Sequence, residues 1–335
     1  MSSEYRIFGS ELSPYSVKVR SWFRYKGIPH RWLLRAGENL AEYQRFAKIP
    51  IVPLVVTPEG AGLQDSTPLI EQLEAAFPDP SIHPGDPVCA FVSTLLEEFG
   101  DEWGNKWMFH YRWAREIDQW SAAGRLARSM APLADDAAFA ERTRQVRDRM
   151  VDRVGFVGSN PDTAPQIEAS FCDAIVQLDD HLARRPYLFG ARPSFGDFGM
   201  WGQLYEAWTD PTAGALIEAR ALNLLAWIQR MLWPRAEGEF ERWPTLAPTL
   251  TPLLAGQVGA RFMPWTLANA RAIAGGQQTF DVELPGGTWR QQPQKYHARS
   301  LAVLQAKHRA LAERSQVDPV LAAAGCLAGL SSTGA

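Results

Sequence analysis

Four prolines fall within the ten residues Pro78-Asp79-Pro80-Ser81-Ile82-His83-Pro84-Gly85-Asp86-Pro87. Each proline lacks a backbone N–H and fixes its own φ, so neither a helix nor a central strand runs through this segment. The chain is therefore divided there. Residues 1–78 predict one unit, 79–87 a linker, 88–234 a second unit, and 235–335 a further extension. The 335 residues suffice for two cores. Apolar residues make up 46%, a globular composition.

Residues 4–77 read as β-α-β-α-β-β-α. Tyr5 to Phe8 predicts a strand, and Ser16 to Lys26 a helix ended by Gly27. His30 to Leu34 predicts a strand and Leu40 to Phe46 a short helix. Ile51 to Val56 reads as a buried strand, and the turn chemistry of Pro58-Glu59-Gly60 makes Leu54 to Leu63 a hairpin. Asp65 or Ser66 then caps a helix through Leu69, Ile70, Leu73 and Phe77.

Two features of this unit carry chemistry. Ser13-Pro14-Tyr15-Ser16 lies between a strand and a helix start, where free N–H groups and the positive helix end favour an anion. A bound thiolate suits that place better than a serine alkoxide; Ser13 as a plain N-cap is the simpler alternative. Pro53 interrupts a β-branched run and cannot donate to a ladder. A cis Val52-Pro53 peptide that turns the Val52 main chain outward toward a peptide-like ligand is one solution, and an edge strand with a trans proline is the other.

The second unit is helical. Trp103, Trp107 and Tyr111 form one stripe. Glu98, Asp101, Glu102 and His110 lie nearby without a Glu-x-x-His pair, so no metal is expected, and Glu102 with Lys106 reads as an ordinary pair on a solvated face. Asp136 to Val154 predicts a charged helix, and Ile167, Phe171, Ala174, Ile175, Leu178 and Leu182 a core stripe. Ser194 and Asp197 have capping-box spacing before an apolar helix. Another helix runs from Ala215 to Trp233. In the extension, Leu250 to Ala274 predicts helix around Pro264. Thr279 to Leu284 alternates before Pro285-Gly286-Gly287, a hairpin signal, and Tyr296 to Arg314 predicts a helix. The tail from Ser315 reads as frayed. The apolar content of the extension requires packing, expected on the outer side of the helical unit with only minor contact to a cleft.

The net charge of −3 without a basic block argues against nucleic acid as a partner. Three scattered cysteines form neither a metal motif nor a disulfide framework, which fits a cytoplasmic protein. No signal core or membrane-length apolar run is seen, so no membrane partner is expected. Thirteen tryptophans suit either an apolar pocket or a helical core.

Taken in order, Ser-Pro-Tyr-Ser at a strand-to-helix turn, Ile-Val-Pro-Leu in a strand, Asp-Ser at the next helix start and Pro-Ser-x-x-Asp on a buried helix resemble the cytosolic glutathione transferase superfamily. The resemblance covers residues 4 to about 233. It implies a thioredoxin-like α/β N-terminal domain, an all-α C-terminal domain and a homodimer, here with an unusual C-terminal extension containing a hairpin. It implies glutathione as co-substrate and no metal. Ser13 matches the catalytic serine of the serine-type classes, Tyr15 is expected among the glutathione-binding residues, and Tyr15 or Ser16 is the alternative source of the activating hydroxyl. Val52 and Pro53 match the step that pairs with the cysteinyl residue, and Asp65 and Ser66 the pair that holds the γ-glutamyl group. Lys48 is the candidate for the glycyl carboxylate, because Ile51 stands where a lysine or glutamine is common. Trp107 and Tyr111 are the candidates for a hydrophobic substrate. The implied activity is conjugation of glutathione thiolate to a hydrophobic electrophile; the alternative is a non-catalytic carrier of an apolar ligand.

Overall fold

The computed structural model describes residues 4–331. Its first unit contains β1 (Tyr5–Gly9), α1 (Pro14–Tyr25), β2 (His30–Leu34), α2 (Asn39–Phe46), β3 (Leu54–Val56), β4 (Gly62–Gln64) and α3 (Ser66–Ala76). The sheet order is β2-β1-β3-β4, with β1 parallel to β2 and the other pairs antiparallel. This is a thioredoxin-like arrangement. Strand β3 begins only after Pro53, so the buried strand expected from Ile51 is shorter by three residues. Among the described residues, neither the N–H nor the C=O of Val52 has a hydrogen-bond partner.

The helical unit contains α4 (Pro87–Phe99), a π-helical turn at Gly100–Gly104, α5 (Asn105–Ala114), α6 (Glu116–Met130), α7 (Asp136–Val151) and α8 (Ala164–Leu182). It continues with α9 (Phe195–Trp208), α10 (Pro211–Arg220) and α11 (Leu222–Arg230). The single helix expected from Ala215 to Trp233 is thus two. Helix α9 is buried and crosses α1, where a Cβ on Gly202 would lie 2.6 Å from the Pro14 carbonyl oxygen. Only glycine lets the two backbones meet there. The capping box of α9 forms as its spacing predicts.

The extension contains α12 (Trp243–Leu253), a π-helical segment (Leu254–Phe262), α13 (Met263–Ala274), the hairpin β5 (Phe280–Leu284) and β6 (Gly287–Gln291), then α14 (Lys295–Arg309), α15 (Arg314–Ala323) and α16 (Leu327–Ser331). The frayed tail expected from Ser315 is corrected as far as Ser331; residues 332–335 lie outside the described residues. Val317, Leu321, Cys326 and Leu330 are fully buried, since Val317 and Leu321 share one helical face that packs inward.

The extension also overturns the solvated face expected on α4 and α5. Glu98, Asp101, Glu102 and Lys106 are all buried. Lys106 Nζ lies 3.8 Å from the Trp265 ring centroid, beside Trp103 and Trp289, and donates to the Val157 carbonyl at 2.9 Å. Burial lowers the Lys106 pKa to about 7 although Glu102 acts to raise it. The tryptophans are mainly core: eight are nearly or fully buried. No described helix is long and apolar enough to cross a membrane.

Candidate active site

The sheet register brings the chemical motifs to one end. Phe8 pairs with Leu54, and Leu54 with Gln64. One step further along each strand lie Gly9, Pro53 and Asp65. The Ser13 loop, the Val52-Pro53 step and the Asp65-Ser66 helix start therefore emerge side by side.

Ser13 is the N-cap of α1, and its Oγ accepts a hydrogen bond from Ser16 N at 3.3 Å. It is partly exposed and stands between two clefts. One, of ≈ 260 Å³, is lined by Ser13, Ser10, Val52, Arg35, Ser129 and Met130 among others. The other, of ≈ 320 Å³, is lined by Ser13, Pro14, Tyr15 and Asn105 together with Met108, Phe109, Trp113, Leu126, Met130 and Met150. The two remaining hydroxyls differ from Ser13. Ser16 is buried and lines neither cleft. Tyr15 donates its hydroxyl to the Asp101 carbonyl at 3.1 Å, and burial, then Glu102 and Asp101, raise its pKa well above the usual phenol value. Its ring, not its hydroxyl, is what it offers the larger cleft.

Arg112 supports the Ser13 loop from below. Its guanidinium is buried, donates to the Leu12 carbonyl at 3.0 Å, and is held by Glu206 and Asp210 at 2.7 Å each. Gln64 shapes the approach to Val52: its side chain accepts from Lys48 N and Ile49 N and donates to the Ile49 and Ile51 carbonyls. Neither residue carries a motif, so both are visible only in three dimensions. Lys48 is exposed on that clipped loop.

Asp65 is the single non-glycine among the described residues with positive φ, 74°. Such backbone conformations cost roughly 1–3 kcal/mol and gather at functional sites. Its carboxylate meets a third cavity of ≈ 150 Å³ between α3, α4 and α14. Ser66 is nearly buried at the start of α3, and Pro53 is buried below Val52.

Trp107 and Tyr111 are corrected as substrate contacts. Each is 1% exposed, and both pack on Phe171 in the core, with the Trp107 indole N–H donating to Ser170 Oγ at 2.9 Å. The cleft is met instead by Asn105, Met108, Phe109 and Arg112 on another face of the same helix.

In sequence, the family profile described as glutathione S-transferase, N-terminal domain, matches residues 7–81, and that of the C-terminal domain matches residues 124–230. No curated protein matches significantly. Similar solved structures include a glutathione S-transferase from Methylobacterium radiotolerans in complex with glutathione sulfonate: 18% identity, 73% of this chain and 94% of that chain covered, TM-score 0.38. A glutathione-bound glutathione S-transferase from Methylobacillus flagellatus is 17% identical over 68% of this chain and 95% of that chain, with TM-score 0.40. A β-etherase from Sphingobium is 18% identical over 68% and 94%, with TM-score 0.43. With both domain profiles matched in order over more than half of its length, the chain belongs to the glutathione S-transferase superfamily.

Proposed function

We propose that the protein is a glutathione transferase that activates the glutathione thiol at Ser13 and presents it to an apolar electrophile. The observation that supports this is the row formed by Ser13, the unpaired Val52 main chain and Asp65 at one end of the sheet. From β1 across β3 to β4 is two strand spacings, about 10 Å. An extended tripeptide spans about the same distance.

In this reading the Val52 N–H and C=O pair with the cysteinyl main chain of glutathione. Asp65 receives the γ-glutamyl ammonium, and Ser66 offers its helix-start N–H to the carboxylate beside it. Lys48 receives the glycyl carboxylate. The Ser13 hydroxyl donates to the sulfur, and the N-terminus of α1 adds its partial positive charge, so the thiol gives its proton to solvent more readily. The thiolate lone pair then forms the carbon–sulfur bond, and the leaving group departs with its electron pair. The electrophile sits in the ≈ 320 Å³ cleft, whose three methionines adapt to varied apolar shapes. A serine cannot form a mixed disulfide with glutathione, so thiol–disulfide exchange at this position is not part of the proposal. The cytoplasmic location and homodimer implied by the resemblance belong to the same reading.

Titration calorimetry with glutathione, followed by turnover with a generic aryl halide, tests it. Binding at or below millimolar glutathione with catalysed conjugation is expected. Binding without turnover favours the carrier, and no binding at millimolar glutathione removes the transferase reading.

A further inference from the structure

We propose that α14 of the extension forms one wall of the glutathione site, with Arg299 binding the α-carboxylate of the γ-glutamyl residue opposite Asp65, which binds its ammonium. This rests on the glutathione reading above.

The ≈ 150 Å³ cavity is lined by Asp65, Thr67, Glu98, Tyr296, Arg299 and Ser300, with neighbouring charged groups. It has room for a few water-sized groups, which is the size of an amino-acid head. The Tyr296 hydroxyl donates to Asp65 Oδ1 at 3.2 Å. Oδ2 of Asp65 has no partner among the described residues.

The other charged side chains on this cavity already have hydrogen-bond or ion-pair partners. Glu97 accepts from Lys18 and, at 2.6 Å, from Thr67. Glu98 accepts from Ser300, Glu102 contacts His297, and Lys307 pairs with Glu71 of α3. Arg299 makes no hydrogen bond or ion pair among the described residues, although it lines the cavity. The uncommitted groups are thus one carboxylate oxygen and one guanidinium. Together they complement a zwitterionic α-amino-acid head group, and Arg suits the carboxylate because its N–H groups can meet both oxygens.

The same contacts fix α14 in place. Ser300, His297 and Lys307 hold it to α4, to the π-helical turn and to α3, so Arg299 is carried on an anchored helix. The extension lines neither cleft beside Ser13, as the sequence led one to expect, but it does line the separate cavity that Asp65 meets. Tyr296 and Arg299 reach the end of the site that Asp65 opens.

Calorimetry on wild type and Arg299→Gln, each with glutathione, cysteinylglycine and free glutamate, tests the assignment. The variant is expected to bind glutathione about tenfold more weakly, the scale of one charged hydrogen-bond contact at an exposed site. Its affinity for cysteinylglycine, which lacks the head group, stays unchanged, and Arg299→Lys recovers part of the loss. In turnover, KM for glutathione rises and kcat holds. Wild-type glutathione affinity in Arg299→Gln, or an equal loss for cysteinylglycine, overturns the inference while leaving the transferase reading intact. Free glutamate binding more tightly than glutathione also overturns it, by assigning the cavity to free amino acids. If wild type binds no glutathione, the functional reading fails and this inference fails with it.

Discussion

Lys18 Nζ lies 2.6 Å from Asp101 Oδ2 and also contacts Glu97, with all three side chains buried where α1 meets α4 and its π-helical turn. Burial acts against the ammonium, but Asp101 and Glu97 outweigh it and raise the Lys18 pKa. This cluster joins the two units through α1, five residues after Ser13. Lys18→Met leaves two buried carboxylates without their cation and is expected to cost about 3–5 kcal/mol. Urea unfolding followed by circular dichroism measures this as a lowered midpoint, and an unchanged midpoint contradicts it.

Ser13 caps α1, and in the proposed reaction its hydroxyl also activates the thiol; two substitutions separate these roles. Ser13→Ala removes both the N-cap acceptor and the hydroxyl. It should cost about 1 kcal/mol of stability and slow conjugation. Ser13→Gly removes the hydroxyl but costs only a few tenths of a kcal/mol, because glycine is a tolerated cap. Both should raise the pKa of the bound thiol, read from thiolate absorbance against pH. Wild-type conjugation in Ser13→Gly shows that another group activates sulfur.

Asp197 does more than its capping box requires. Besides Ser194 N at 2.8 Å and Ser194 Oγ at 2.7 Å, it accepts from Leu188 N at 2.9 Å and Trp227 Nε1 at 2.8 Å. The spacing alone suggests a cap worth about 1–2 kcal/mol. Asp197→Ala strands several buried donors, each costing about 1–3 kcal/mol, so a loss of at least about 3 kcal/mol is expected. Ser194→Ala should cost less. Equal losses in denaturant unfolding argue against the wider network.

His181 gives the fold an acid-sensitive joint. Its ring nitrogens contact Thr249 Oγ1 at 2.7 Å and the Leu188 carbonyl at 2.8 Å. Burial, with Arg185 adding to it, lowers its pKa to about 4, although the bond to Leu188 acts the other way. The unfolded chain therefore binds a proton at higher pH than the folded one. Its contribution is complete above about pH 6.5 and is lost as pH falls toward 4, to a total of about 3 kcal/mol. His181→Gln should flatten the stability profile between pH 7 and 4. A profile as steep as that of wild type assigns the acid sensitivity to other groups.

The sequence by itself determined the local elements. Ser13, Asp86 and Ser194 cap their helices, and Pro285-Gly286-Gly287 closes the β5–β6 hairpin, because capping and turn preferences act over a few residues. The proline-rich linker and the succession of strands then helices were legible for the same reason. The order of the motifs indicated the superfamily. The stripe of Trp103, Trp107 and Tyr111 was also legible as a stripe. Helical periodicity says which residues share a face, however, and not whether that face meets core or ligand.

Tertiary structure decided the rest. Met108 and Phe109, one and two positions from Trp107, face the cleft because α6 and α7 stand opposite them. Glu98, Glu102 and Lys106 look like a solvated face in sequence. They are buried because α13, β6 and α14 arrive from more than 150 residues away with Trp265, Trp289 and His297. Asp65 meets Tyr296 across 231 positions. Burial depends on which surface another part of the chain brings, and nothing in the local sequence of a helix encodes the arrival of a distant one.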